Sequence, residues 1–409
     1  MKCKVQPSLL HEGVLAEFSF ADWLHGKMHH ITLAMTAYSE ELRAAEVKNT
    51  IFTETEITPK LANTPDILFW LAVIRGEITS SVRNQAVKVA GVENPIQGLR
   101  QACDHAIAGY QHGIDESHAL DSGVFPFVEI VKRGKIVNKL PKLEASGGHT
   151  ISINPFYLVS SHSFNGIEPM PILSDLRQIR EFADSAQSGL TLIKRFSHGI
   201  EQEMRYLLKY IIPLDCPRDK AYSGSHSSLP GIIFVSSSLD DIRVVAEMLL
   251  HEALHSKLFL LQKWDDLFLT SNDIAWLGQR LYSPWRQCMR PVQGLLHGAF
   301  VFCGIADFWR SLSTSSTDLP ARRAATAAME SLIVSQSLIN YAHLSEWGRN
   351  LVISVIDYNI QILDNIPNWE LLRAWSPDRD VKDGNPRLVI EMMNDYTKVM
   401  QNHQPSDHD

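Results

Sequence analysis

Cysteine is scarce in this sequence of 409 residues, and its distribution excludes two kinds of stabilising site. The five cysteines are odd in number and scattered, and no two of them form a Cys-x-x-Cys pair. Such a set provides neither a disulfide framework nor a structural zinc site built from cysteine pairs. We therefore expect reduced thiols at positions 3, 103, 216, 288 and 303.

A signal peptide, a long apolar run and a strong excess of charge are also lacking. Residues 1–7 contain no signal-peptide hydrophobic stretch, and no apolar run approaches the length of a membrane span. A net charge of −8 and a pI near 6.1 give no reason to expect nucleic acid as a partner. The composition, with 45% hydrophobic and 21% charged residues, is that of an ordinary globular protein, which we expect in the cytoplasm.

Most of the chain has the apolar spacing of helices, with a small β component. The spacing predicts helices over residues 40–47, 67–73, 95–111, 179–212, 291–312, 320–342 and 344–363. Strands are predicted over residues 125–131 and 136–140, as a hairpin, and over residues 232–235. The predicted fold class is therefore mainly α with a small β component, an α+β fold.

Two histidines one helical turn apart, His251 and His255, are the most informative feature of the sequence, and Glu252 lies between them. Residues four positions apart share one helix face, so both rings can reach one metal ion. Residues 242–264 contain neither glycine nor proline and are rich in leucine, which predicts a buried helix. Buried imidazoles need a partner, and a metal ion provides one. The alternative is a pair of core histidines satisfied by hydrogen bonds.

The third metal ligand separates the types of site that use a His-Glu-x-x-His motif. One protease type requires Gly at position 258 and His at position 261, and both positions are Leu. A second type takes a glutamate from a following helix, but the next glutamate is Glu330, too remote for that pattern. Asp265, Asp266 and Asp273 stay open as aspartate ligands.

His297 is the better candidate for the third ligand. It lies in an apolar stretch that is predicted to be helical, on one stripe with Gly294, Gly298 and Val301. The small residues of this stripe allow a second helix to approach closely. We therefore predict that the buried motif helix packs against this His-bearing helix. The alternatives are that His297 is a buried core histidine, or that His343 is the ligand in its place.

Two cations, Arg286 and Arg290, come directly before the predicted His297 helix. An arginine binds a carboxylate through two parallel hydrogen bonds, so either residue could hold an anionic ligand beside the metal. Surface salt bridges are the alternative role for both. We expect Arg290 to bind the anion, with Arg286 as the second choice.

These segments, in this order, resemble a bacterial family of HExxH-motif peptide-modification enzymes, found with ribosomally synthesised and post-translationally modified peptides. The resemblance runs over residues 222–363, and a less specific part of it is Leu-Ser-Glu-Trp-Gly-Arg at 344–349. The more specific parts are Ser-Leu-Pro-Gly-Ile-Ile-Phe-Val-Ser at 228–236, His-Glu-Ala-Leu-His-Ser-Lys-Leu at 251–258, Ser-Pro-Trp-Arg at 283–286 with Arg-Pro at 290–291, and Gly-Leu-Leu-His-Gly at 294–298.

The resemblance implies a non-haem iron hydroxylase that uses α-ketoglutarate and acts at the β-carbon of a residue in a precursor peptide. Fe(II) would be held by His251, His255 and His297, because three neutral histidines leave open positions on the ion. Arg290 or Arg286 would anchor the distal carboxylate of α-ketoglutarate.

Two other functions stay open, because imidazole ligands suit zinc as well as iron. In a zinc metallopeptidase or amidase, Glu252 would be the general base that activates water. In the hydroxylase it would orient ligands or substrate instead. The third possibility is a metal-binding scaffold or partner protein that recognises a peptide without catalysis.

We predict three parts of the chain from these patterns. Residues 1–150 form a mainly helical region whose role is open, with peptide binding as one candidate. Residues 151–400 form the metal-binding catalytic domain, and residues 401–409 are a polar, disordered tail. The sequence identifies neither the peptide, nor the modified residue, nor the oligomeric state.

Overall fold

The computed structural model confirms the predicted fold class, since 69% of the residues that it describes are helical and the sheet component is small. Most of the predicted helices are present with limits that differ by a few residues, but the helix predicted over residues 40–47 is much longer and covers His29–Ile51. The residues described are 20–27, 29–51, 65–75, 83–84, 87, 91–111, 142–145, 150–153, 176–208, 210–217, 221–227, 231–237, 240–262, 266–269, 279–286, 288–314 and 318–366.

The described helices and strands follow one another along the chain in groups of one to four. The helices are α1 (Phe20–Leu24), α2 (His29–Ile51), α3 (Pro65–Ile74), α4 (Pro95–Gln111), α5 (Leu176–Phe196), α6 (His198–Leu207), α7 (Ile242–Leu261), α8 (Val292–Ser311), α9 (Leu319–Tyr341) and α10 (Glu346–Asp364). The strands are β1 (Lys142–Glu144), β2 (Thr150–Ile153), β3 (Tyr210–Leu214), β4 (Ser223–Ser225), β5 (Ile232–Ser236), β6 (Arg280–Ser283) and β7 (Cys288–Pro291).

The chain divides into two compact units, which we describe separately. The sheet unit comprises residues 28–260, and the helical unit comprises residues 1–27 together with 261–409. These limits differ from the domain boundaries predicted at residues 150 and 400, which stay a prediction. The predicted packing of α7 against α8 also stays a prediction, because the two helices belong to different units.

The sheet unit is built on a five-stranded sheet in the order β1-β2-β3-β5-β4. Strands β2, β3 and β5 are parallel, whereas β1 and β4 lie antiparallel at the two edges. Every residue of β3 and β5 is buried, as expected for parallel strands covered on both faces. Strand β5 leads within a few residues into α7, so the sheet positions the start of the motif helix.

The prediction of one helical stretch over residues 179–212 is wrong at its end. Helix α6 stops at Leu207, and residues 210–214 form the central strand β3, which pairs with β5 along its whole length. Tertiary pairing of these five buried apolar residues overrides the helical spacing. Pro213 fits because the described part of β2 pairs only with Tyr210 and Ile211, so no described strand needs a hydrogen bond from the N–H that proline lacks.

Helix α7 begins where the acidic residue before it caps the first turn. The Asp241 Oδ1 atom accepts a hydrogen bond from the Arg243 backbone N–H at 2.9 Å, and its carboxylate also pairs with the Arg243 guanidinium. The N-terminal half of α7 packs closely on α5, where a Cβ added to Gly189 would lie 3.1 Å from the Ala246 backbone nitrogen.

The helical unit is a packed set of three long helices, α8, α9 and α10, with α1 against α10. Helix α8 is mostly apolar and is buried on nearly all sides, because it packs on both other helices. Its Phe300 and Phe308 side chains are fully buried. It is the one helix in the described ranges that is long and apolar enough to cross a membrane. This corrects the expectation that no stretch approaches that length. However, 89% of its apolar window is buried inside the protein, as in any core helix.

A β-hairpin, β6–β7, directly precedes α8 and was not predicted from the sequence. Its register pairs Ser283 with Cys288 and Leu281 with Arg290, around a turn that contains Pro284 and Trp285. The hairpin that was predicted over residues 125–140 lies outside the described residues. All four cysteines in the described ranges are free thiols, as expected.

A buried carboxylate ties the N-terminal segment to this unit. Asp307 accepts hydrogen bonds from His25 Nε2 at 2.6 Å and the Tyr358 hydroxyl at 2.6 Å, and from the Arg310 guanidinium at 2.9 and 2.5 Å. Burial by itself raises the pKa of Asp307, but the bonds from His25 and Tyr358 and the charge of Arg310 outweigh it, so the pKa is lowered. Trp23 packs beside this cluster on Phe300, with ring centroids 5.1 Å apart.

Candidate metal centre

The rings of His251 and His255 meet on one face of α7. Their Nε2 atoms lie 3.2 Å apart, and the ring centroids lie 4.8 Å apart at an interplanar angle of 68°. Both rings are partly exposed, although the residues between them, including Glu252, are buried. The His255 ring also stacks on Phe259, one turn further along the helix. The spacing of four residues therefore brings two imidazole nitrogens together, as predicted from the motif.

The separation of the two nitrogens is compatible with two arrangements. Two imidazoles bound to one ion at about 2.0–2.1 Å have nitrogens about 2.9 Å apart in an octahedral site and about 3.4 Å apart in a tetrahedral site. The observed 3.2 Å lies within that range. It also suits a hydrogen bond in which one neutral ring donates to the other. Both arrangements need at least one of the two rings to be a neutral imidazole, because an imidazolium has no nitrogen lone pair to offer.

Glu252 is almost fully buried and is held by a serine from the sheet. The Ser223 hydroxyl donates a hydrogen bond of 2.6 Å to Glu252 Oε1, and the same oxygen lies 3.9 Å from His251 Nε2. Sequence reasoning missed Ser223. The available signal was weak, because the contact depends on β4 pairing with β5, in register Ser223 to Val235, beside the helix that follows β5.

His297 lies in α8 of the helical unit and is buried, with 6% of its surface exposed. Its Nε2 atom lies 3.0 Å from Oε1 of Gln262, the residue that directly follows α7. An amide oxygen only accepts, so Nε2 carries a proton in this arrangement, and in a neutral ring the lone pair is then on Nδ1. A metal ion bound by this tautomer of His297 would be bound through Nδ1, with Gln262 holding the ring from the other side.

The glycine stripe of α8 receives side chains from the preceding hairpin. Trp285 lies against Gly298, where any Cβ would overlap the indole ring, and it stacks on Phe302 with centroids 4.9 Å apart. Gly294 is exposed, and the Arg290 Nε and Nη2 atoms lie 3.9 Å from the position of its missing Cβ. The small residues therefore make room for Trp285 and Arg290, a use that the sequence analysis did not foresee.

Arg290 is a partly exposed cation beside a positive helix terminus. Among the described residues it makes no hydrogen bond or ion pair, whereas Arg286 is more exposed and does have a partner. Helix α8 starts at Pro291 without a side-chain cap and without an acidic residue in its first turn. The Val292 N–H already donates to the Gln279 carbonyl at 3.2 Å, so it is the positive end of the helix dipole and the Arg290 guanidinium that favour an anion at this end of α8.

The structure brings together His251, His255 and Glu252, and leaves the third ligand undecided. No group of three or more His, Cys, Asp or Glu side chains suited to a metal ion occurs in the described part of the chain. His343 and Asp266 are exposed in the helical unit, and Asp265 and Asp273 lie outside the described residues. The three-histidine site therefore stays a prediction.

Comparison with known protein families and with curated proteins finds no match to this chain. The resemblance described above therefore stays a prediction as well. What the chain does has to be argued from the residues of the site.

Proposed function

We propose that this protein is an Fe(II)- and α-ketoglutarate-dependent dioxygenase that hydroxylates the β-carbon of a residue in a ribosomally synthesised precursor peptide. The observation that carries the proposal is the convergence of His251 Nε2 and His255 Nε2 at 3.2 Å on a partly exposed helix face. The family resemblance adds the type of reaction. The proposed cellular location is the cytoplasm, with neither nucleic acid nor a membrane as a partner.

The donor set fits a divalent metal ion of the iron or zinc type. Two neutral imidazoles are ligands that both ions accept, and their nitrogens are spaced as two ligands of one ion. His251 and His255 would hold the ion, and we propose His297 as the third ligand. Bound together, Fe(II) and α-ketoglutarate supply the oxidising power to insert one oxygen atom of O2 into a C–H bond, while the keto acid loses CO2 to give succinate.

Arg290 is the residue that we propose for the distal carboxylate of α-ketoglutarate, with Arg286 as the second choice. A guanidinium binds a carboxylate through two parallel, charge-assisted hydrogen bonds. The support is that Arg290 lies at the start of α8, which has no side-chain cap, and that no carboxylate among the described residues pairs with it. An anion bound there would pair with the Arg290 guanidinium and interact favourably with the positive end of the α8 dipole.

Glu252 has an orienting role in this proposal. Its carboxylate is buried and accepts from Ser223, and the bound oxygen lies 3.9 Å from His251 Nε2. A carboxylate at that position can accept a hydrogen bond from an N–H or O–H of a bound substrate or of a neighbouring ligand, and so orient that group. Loss of the charge should weaken ligand orientation without removing a reacting group.

The edge strand β4 is the proposed place for the peptide. The Ser236 N–H donates to the Tyr222 carbonyl at 2.8 Å, so the backbone groups of alternate residues face β5. The N–H and C=O of Ser223 and Ser225 consequently face away from β5, and β4 is an edge among the described strands. An extended peptide could pair with these groups as an added strand, next to the serine that holds Glu252.

Anaerobic reconstitution tests the metal and the keto acid together without a known peptide. Protein loaded with Fe(II) and then given α-ketoglutarate should develop a visible charge-transfer band, which the double variant H251A/H255A should lack. Arg290→Gln should weaken α-ketoglutarate binding by about 2–3 kcal/mol, because a charged bidentate contact is lost. Lys194→Gln, an exposed cation on α5, is the matched control and should bind α-ketoglutarate normally.

A wild-type protein that binds Fe(II) but shows no band with α-ketoglutarate would contradict the oxygenase proposal. With a cognate peptide, the proposal requires succinate formation and a peptide mass increase of about 16 Da without backbone cleavage. Tight peptide binding with neither reaction would indicate a scaffold.

A zinc metallopeptidase or amidase is the second candidate, and the position of Glu252 favours it. A carboxylate oxygen 3.9 Å from His251 Nε2 is close enough to take a proton from a water molecule bound beside that ring. Cleavage of a peptide by zinc-loaded protein, abolished in Glu252→Gln, would establish this function in place of the first.

A further inference from the structure

A buried ion pair joins the motif helix to two other helices of the sheet unit. The Lys257 ammonium on α7 donates to Glu203 Oε2 on α6 at 2.8 Å, and the two side chains are only 3% and 2% exposed. The second oxygen of Glu203 accepts a hydrogen bond of 2.5 Å from the Thr32 hydroxyl on α2. Both carboxylate oxygens are therefore engaged, and α2, α6 and α7 meet at this point.

A pair of this kind adds little to stability. The cost of removing two charges from water is comparable to their attraction, so apolar residues of similar volume often stabilise a core as well or better. The pair does restrict the orientation of α7, because the Lys257 side chain must point towards the Glu203 carboxylate on α6. At about 100° per residue, its side chain leaves the α7 axis about 140° from the midpoint of His251 and His255.

We propose that Lys257 and Glu203 are positioning residues that fix the rotation of α7 about its own axis. This rotation presents Glu252 to Ser223 and turns His251 and His255 to the partly exposed face. The inference deepens the proposed function, since the metal-related part of it rests on that function.

Small rotations of α7 are enough to matter. Side-chain ends lie about 6 Å from a helix axis, so a rotation of about 10° moves them by about 1 Å. Metal–ligand distances vary by only about 0.2 Å in a working site. The N-terminal half of α7 is located by the close contact at Gly189 and Ala246, and the ion pair locates the other half, with the motif between them.

The decisive variant is the charge-free pair Lys257→Met with Glu203→Leu. A single substitution would leave one buried charge alone and strongly destabilise the protein, whereas the double variant removes both charges and keeps the volume. The double variant should fold, and its resistance to urea should fall only because the buried Thr32 hydroxyl loses its acceptor. A crystal structure of it without metal should show α7 rotated and the Ser223–Glu252 contact, 2.6 Å in the native protein, broken.

Co(II) serves as the metal probe, because it absorbs in the visible range when bound by imidazole. We expect the double variant to bind Co(II) about 10–100-fold more weakly than the wild type, as for other losses of ligand support. The matched control is Leu258→Ala, the fully buried neighbour on the same helix. It should lower resistance to urea because it leaves a cavity, and it should bind Co(II) normally once folded.

The results distinguish failure of the proposed metal centre from failure of the positioning role of Lys257 and Glu203. Wild-type protein that takes up no Co(II) would contradict the proposed metal centre, and the metal-free crystal structure of the double variant would still test the rotation. A double variant that keeps the 2.6 Å Ser223–Glu252 contact and, where the wild type binds Co(II), its affinity would overturn the positioning role of Lys257 and Glu203.

Discussion

Each unit of the molecule buries a carboxylate beside a histidine, and the two carboxylates are held in different ways. Glu252 in the sheet unit accepts from the neutral Ser223 hydroxyl, next to His251, whose side chain is 24% exposed. Asp307 in the helical unit is fully buried and accepts from an imidazole, a phenol and a guanidinium. One carboxylate lies at a partly open surface, and the other lies at the junction of three chain segments.

The difference indicates two roles for similar chemical groups. A carboxylate that several charged or strongly polar donors enclose contributes to holding segments together, and its own reactivity is suppressed by the lowered pKa. A carboxylate held by a single hydroxyl beside partly exposed imidazoles lies next to the face that we propose to bind the metal ion. We therefore expect substitutions at Asp307 to change stability and substitutions at Glu252 to change activity.

Asp307→Asn should have the largest effect. The unfolding free energy should fall by about 3–5 kcal/mol, because the donors around a buried site lose the charge that they pair with. Urea unfolding followed by circular dichroism measures the loss. Asp22→Asn is the control, because its pair with Lys27 is largely exposed and should contribute less than about 1 kcal/mol. A loss of similar size in both variants would remove the distinction drawn for Asp307.

Glu252→Gln should leave stability nearly unchanged and reduce activity. Succinate production from α-ketoglutarate should fall about 10–100-fold and stay measurable, since an orienting group is lost rather than a reacting one. The exposed Glu181 on α5 offers the control Glu181→Gln, which should be as active as the wild type. Complete loss of a hydrolytic activity in Glu252→Gln would assign the carboxylate to water activation.

Tyr358→Phe should lower stability in a manner that depends on pH. The pKa of Asp307 is lower in the folded protein than in the unfolded chain, so the charged carboxylate stabilises the folded state. This stabilisation is complete above the ordinary Asp pKa of about 4, and it disappears as the pH falls through the pKa of the folded protein. Removing the phenol donor should reduce the unfolding free energy by about 1.5 kcal/mol at neutral pH. Burial raises the pKa of Tyr358, so the hydroxyl stays a donor throughout.

A series of urea titrations, from neutral pH downward to pH values below the ordinary Asp pKa of about 4, tests this dependence. The difference in unfolding free energy between Tyr358→Phe and the wild type should shrink in acid. Once Asp307 is protonated, the Tyr358 hydroxyl no longer donates to a charged acceptor, so its loss costs less. A difference that grows as the pH falls would show that Tyr358 stabilises the unit in another way.

Ser223→Ala should have the smallest effect. It should reduce activity less than Glu252→Gln does, because the carboxylate stays and only its orientation is loosened. The double variant S223A/E252Q should be no less active than E252Q alone, since both substitutions act on one contact. Additive losses in kinetic assays would show that Ser223 acts on the site independently of Glu252.

The sequence predicted the long helices and the His251–His255 pair because both depend on local spacing. Apolar residues three and four positions apart define a helix, and the same period brings two imidazoles to one face. It failed at residues 210–214, where helical spacing continues into a buried strand. It also missed the β6–β7 hairpin, whose turn has no Asn-Gly or Asp-Gly pair to mark it.

By itself, the sequence determined the fold class, the motif helix and the two nitrogens that face one another. Only the tertiary structure decided that Ser223 holds Glu252, that Gln262 holds His297, and that Lys257 meets Glu203. These contacts join residues 29, 35 and 54 positions apart. A repeat of 3.6 residues carries no information over such separations, because they depend on which strands pair and which helices pack.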